Sequence, residues 1–113
     1  MKTEVLCKLV VDEINNTISF YRDLLLNEQL SVIHDPIWHA AAILCRKLAG
    51  DEQEVILALM HRAATDATST LFGAIDGNTS LADQFIELSL SDSEGQHSDD
   101  LQDTFIRLSE QNS

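Results

Sequence analysis

A mainly α-helical fold is predicted for this 113-residue chain, a compact bundle of three to four helices with at most one short strand or extended segment near 84–90. Three observations predict it. Apolar residues recur at steps of three and four over long stretches. Asp35-Pro36 and Asp51 supply helix starts. Gly50 and Asp76-Gly77-Asn78 supply helix stops, and no internal repeat is present. At this length one domain, 1–113, is expected, because smaller pieces would bury too little apolar surface.

The first helix is expected over 3–26, where Val5, Leu6, Leu9, Val10, Ile14, Ile18, Tyr21 and Leu25 form one stripe. Asn15-Asn16-Thr17 weakens its middle, since these side chains compete for backbone hydrogen bonds, so a kink or a break into two helices is in play. A second helix should start at Pro36, capped by Asp35, and end near 49 with Gly50 as a C′ glycine. Arg46 and Lys47 suit its negative end. Asp51 then caps a third helix over 52–75, with Glu54 completing a capping-box pair, and Asp76-Gly77-Asn78 ends it. The short link between these helices implies antiparallel packing, so Leu59, Ala63 and Ala67 are expected to face Ile37, Ala41 and Leu44. Beyond Gly77 the pattern turns to alternation, Phe85, Glu87 and Ser89 against Ile86, Leu88 and Leu90. A polar loop follows over 91–98, then a short helix over 99–109 with Leu101, Phe105 and Leu108 on one face.

Charge is the feature that bears on function. Nineteen acids oppose seven bases, a formal net of −12. Residues 76–113 hold nine acids and one base, Arg107, a net of −8. This acidic C-terminal third repels nucleic acid and anionic lipid and favours a basic partner. Direct nucleic-acid binding needs a basic face that seven dispersed cations do not make. The longest uncharged apolar-rich run, 37–45, is too short to span a bilayer, so no membrane partner is expected. Met1-Lys2-Thr3-Glu4 lacks the basic-then-apolar layout of a secretory signal, and the expected location is cytoplasmic. Cys7 and Cys45 then read as reduced, buried thiols.

Catalytic and metal chemistry find no support in the spacing. His34, His39, His61 and His97 form no HExxH, and the two cysteines no CxxC, so no metal or cofactor is expected. His61 near Asp66 is the nearest approach to an acid–base pair. Asp66 is more simply the i, i+4 ion-pair partner of Arg62. No nucleophile, base and orienting group come together, and an enzyme is not expected. Phosphate cradling would need clustered glycines, whereas Gly50, Gly73, Gly77 and Gly95 stand apart.

What remains is a binding surface. Phe85, Ile86, Leu90 and Phe105 are interleaved with the acids, as an interface core ringed by charge would be. The segments Leu81-Ala-Asp-Gln-Phe-Ile-Glu-Leu and Asp100-Leu-Gln-Asp-Thr-Phe-Ile-Arg-Leu, on a small helical chain, look like the acidic endings of certain small bacterial proteins. In this character the chain resembles the immunity proteins of bacterial toxin–immunity systems, of the contact-dependent inhibition or type VI kind. The resemblance implies an inhibitor that covers a basic toxin domain, commonly a nuclease. Asp83, Glu87, Asp92, Glu94, Asp99, Asp100 and Asp103 are the expected partner-binding residues. Two other classes compete: a DNA-mimic or anti-restriction protein presenting acids at phosphate-like spacing, and an adaptor or regulatory subunit acting through its helical face.

Overall fold

Helix α1 (Thr3–Leu26) occupies the span its apolar stripe predicts, unbroken at Asn15-Asn16-Thr17. The structure, a computed structural model, describes residues 1–97 and 100–111. Among them, α1 is followed by a short 3-10 turn (Leu30–Val32), α2 (Pro36–Cys45), α3 (Gly50–Asp76), β1 (Leu90–Asp92), β2 (Gly95–His97) and α4 (Leu101–Gln111). The fold is mainly helical, with one small antiparallel hairpin. Its strand begins at the end of the expected 84–90 segment, and residues 85–89 carry no regular structure. The chain divides into two compact units, Asn15–Arg62 and a second built from Met1–Ile14 with Ala63–Ser113.

The unit Asn15–Arg62 is held by Leu25, Ile33, Ala42, Cys45 and Leu57, with Ile18, Trp38, Ile56 and Met60 packed around them. Asp35 caps α2 as the sequence requires, its Oδ1 accepting from Ile37 N at 2.9 Å and Trp38 N at 3.0 Å, with Pro36 in the first turn. Helix α2 ends at Cys45, earlier than expected, and the following turn contains Arg46 and Lys47. Arg46 does not serve its own helix end. Its Nε donates to Leu25 O at 2.9 Å and its Nη2 to Leu24 O and Glu28 O, carbonyls at the end of α1 that lack helical partners. Gly50 is the first residue of α3 rather than a C′ glycine, and its φ is not positive. The capping pair also shifts: Glu52, three residues after Ala49, accepts from Ala49 N at 2.9 Å. Glu54 is instead bidentate with Arg22.

The phase expected for α2 and α3 is overturned. Leu59 is 63% exposed, Ile37 79% and Leu44 63%, and Ala63 and Ala67 are exposed as well. Leu57 is the buried residue, flanked by half-buried Gln53, Ile56, Met60 and Ala64. The reason is local. Val55, Ile56, Leu57, Leu59 and Met60 put apolar side chains on every side of that turn, so periodicity alone does not select the inward face.

The other unit is organised by α4. Leu101, Phe105 and Leu108 are buried against Cys7, Val11 and Phe72, with Phe72 and Phe105 edge-on at 5.4 Å between ring centroids. Their i, i+4, i+7 spacing gives one apolar stripe, burying roughly 1.5–3 kcal/mol per large side chain. Helix α3 ends as the sequence predicts, in a Schellman arrangement. Gly77 has φ +84°, Asn78 N donates to Gly73 O at 2.8 Å and Gly77 N to Ala74 O at 3.1 Å. Gly73 is needed for close approach: a Cβ there would lie 2.5 Å from Thr79 Oγ1 and 2.6 Å from Gln102 Nε2. Helix α4 starts two residues later than expected, and Asp99 lies outside the described residues.

Candidate partner-binding surface

The expected partner-binding acids divide into four local settings, all in the unit containing α4. Asp83 sits in a tight turn in which Leu81 N donates to Gln84 O and Gln84 N to Leu81 O, both at 2.9 Å. Its central residues Ala82 and Asp83 have φ of 48° and 64°. Both-positive φ is the backbone of a type I′ turn, which favours Asn and Gly, so this turn carries local strain. The turn projects Asp83 into solvent.

Glu87 stands in residues 85–89, all exposed, between that turn and β1. Phe85 is 78% exposed and Ile86 55%, with Leu88 less so. An open groove of about 400 Å³ runs beside them, lined by Ile75, Gly77, Phe85, Ile86, Glu87 and Leu88 among others. Of the four apolar residues singled out in the sequence, Phe85 and Ile86 therefore face solvent. Phe105 is fully buried and Leu90 packs against the core.

Asp92 and Glu94 belong to the hairpin, where Leu90 pairs with His97 and Asp92 with Gly95. Gly95 turns the chain at φ +143°. Asp92 pairs with the Met1 amine at 3.0 Å, and Glu94 accepts from the same amine. These two hydrogen bonds, Glu94 foremost, raise the amine pKa above its ordinary value. Two of the acids are thus engaged within the chain.

Asp100 and Asp103 flank the start of α4, both exposed. Asp100 has φ +59° and its carbonyl accepts from Thr104 N at 3.0 Å. The helix N-terminus itself is capped from a distance by Asp76, whose two oxygens accept from Leu101 N at 3.2 Å and Gln102 N at 2.8 Å. Asp76 is therefore structural. The sequence signal for this was absent, since twenty-five residues separate it from Leu101. Arg107, the one base of the acidic third, pairs with Glu4 at 3.1 Å.

Other candidate chemistry resolves into structure. His61 Nε2 lies 3.0 Å from Asn15 Oδ1, and His39 Nδ1 3.2 Å from the Ile33 carbonyl, to which it donates. Arg62 and Asp66 form no ion pair among the described residues. Cys7 and Cys45 are both free and buried. Burial, with the Asp76 carboxylate second, pushes the Cys7 thiol up to about 11, and its Sγ lies 3.5 Å from Leu101 O. No group of three or more His, Cys, Asp or Glu among the described residues is arranged to hold a metal. No described helix is long and apolar enough to cross a membrane. No family model, curated protein or solved structure matches the chain.

Proposed function

We propose that this protein is a binding protein that neutralises a basic partner, an immunity protein blocking a cognate bacterial toxin domain, with a nuclease as the leading class. One observation carries the reading: exposed Phe85 and Ile86 lie in the same short stretch as Asp83 and Glu87, so apolar anchors and negative charge share one surface. Anchors of this kind supply retention, while rim acids act on encounter rate and specificity. The acids at the start of α4 extend the same sign of charge, and the nearest base in sequence, Arg107, pairs with Glu4 instead.

The test is association kinetics against the partner captured with the full chain. Neutralising Glu87, Asp100 and Asp103 together (Glu87→Gln, Asp100→Asn, Asp103→Asn) should slow association by about tenfold or more at low salt and flatten its salt response. Equal rates and equal salt response for variant and wild type would leave the acids merely solubilising and remove the reading.

A second reading, an adaptor acting through its helical face, is favoured by α2. Its ten residues include no Asp, Glu, Lys or Arg, yet Ile37 and Leu44 stand largely in solvent. A helix this rich in apolar residues ordinarily seeks cover on more than one side. Binding that is insensitive to salt and abolished by Ile37→Asp would favour that reading over the first.

A further inference from the structure

Residues 85–89 have a second property besides exposed apolar side chains. Among the described residues, none of their backbone N–H or C=O groups has a hydrogen-bond partner. The stretch runs directly into β1, which is paired with β2 only over Leu90–Asp92. It contains no glycine or proline, and Phe85, Glu87 and Ser89 alternate with Ile86 and Leu88. A run of unpaired backbone groups continuous with a strand is a template for another strand. Two devices that usually blunt such an edge, an inserted lysine and a proline, are missing from 85–89.

Charge decides what pairs there. Between 83 and 94 the chain has four acids, Asp83, Glu87, Asp92 and Glu94, and no Lys or Arg. A second copy pairing antiparallel about its own midpoint would set Glu87 against Glu87, and like charges opposite one another are destabilising. An extended segment with Lys or Arg at alternate positions meets Glu87 favourably and leaves its intervening apolar side chains for Ile86, Leu88 and the adjoining groove.

We infer that residues 85–89 receive an extended, basic segment of the partner as an added β-strand, main-chain pairing giving affinity and Glu87 with the groove giving selection. This rests on the basic-partner reading above and specifies how the contact is made.

The experiment uses the full chain and two short synthetic peptides of equal charge, one alternating lysine with valine and one alternating lysine with proline. The lysine–valine peptide should bind at least about tenfold more tightly. It should also protect alternate amides within 85–89 from hydrogen exchange, since successive N–H groups of a strand point to opposite edges. Leu88→Pro and Ser89→Pro, placed where no internal hydrogen bond is lost, should then differ, one weakening the lysine–valine peptide far more than the other. If both peptides bind equally and salt-sensitively without amide protection, strand addition is overturned while the charge reading stands. If neither peptide binds at low salt, strand addition is overturned, and the charge reading is judged on the association kinetics alone.

Discussion

The two units solve the same problem with opposite charges. In Asn15–Arg62, a cation closes a helix C-terminus: Arg46 reaches back to the last carbonyls of α1. In the unit containing α4, an anion closes a helix N-terminus: Asp76 takes the first two N–H groups of α4. Each follows the sign the helix end demands. The surfaces then diverge. Asn15–Arg62 has six acids and four bases, net −2, with an α2 that lacks Asp, Glu, Lys and Arg and leaves Ile37 and Leu44 in solvent. The other unit has thirteen acids and three bases, net −10, and a core that includes an aromatic pair. The contrast separates charge used to close a helix from charge left over for encounter.

The largest expected difference between the units is in core substitutions. Phe105→Ala removes a fully buried ring and should cost about 3–5 kcal/mol in urea melts. Leu59→Ala, at a position 63% exposed, should cost under about 1 kcal/mol. A large loss at Leu59 would mean that this face of α3 is covered in solution. Next comes Gly73→Ala, whose Cβ would meet Thr79 and the Gln102 side chain. A loss of about 1–3 kcal/mol is expected, partly recovered when Gln102 is shortened as well.

These substitutions also mark what the sequence discloses. Helix existence was legible because local chemistry specifies it: Asp35-Pro36 starts α2, and Gly77 with φ +84° ends α3. The α4 stripe of Leu101, Phe105 and Leu108 was equally plain. The inward face of α3 was not, because six consecutive apolar residues from 55 to 60 offer more than one stripe. The caps from Arg46 and Asp76 act across chain separations that no spacing rule reaches. The acids singled out for partner binding were legible as a charge excess only. Their division into Met1-paired Asp92 and Glu94, and exposed Asp83, Glu87, Asp100 and Asp103, depends on tertiary placement.

Smaller effects sharpen the comparison further. Asp76→Ala should lower stability by about 0.5–2 kcal/mol, measured by thermal melting, since two N–H groups lose their acceptor. In the strained 81–84 turn, Asp83→Gly should raise stability by about 0.4–1 kcal/mol, because glycine takes positive φ without a Cβ clash. That variant separates the turn's conformational role from its charge. The subtlest effect is on pH. Cys7 titrates near 9 when exposed and is held up at about 11 by burial, so the native state keeps a proton that the unfolded chain releases. Its contribution is complete below about 9 and is lost as pH rises toward about 11. Cys7→Ala should flatten the stability–pH curve in that window and leave its slope at neutral pH unchanged.

The central claim is that partners meet the strongly acidic unit, net −10, rather than Asn15–Arg62, net −2. Hydrogen exchange of the full chain, free and bound to its captured partner, tests it most directly. Binding is expected to add protection within 83–92 and at the first turn of α4, and to leave α2 unchanged. Protection concentrated on α2, around Ile37 and Leu44, with none in 83–92, would contradict the account and hand the function to the helical face.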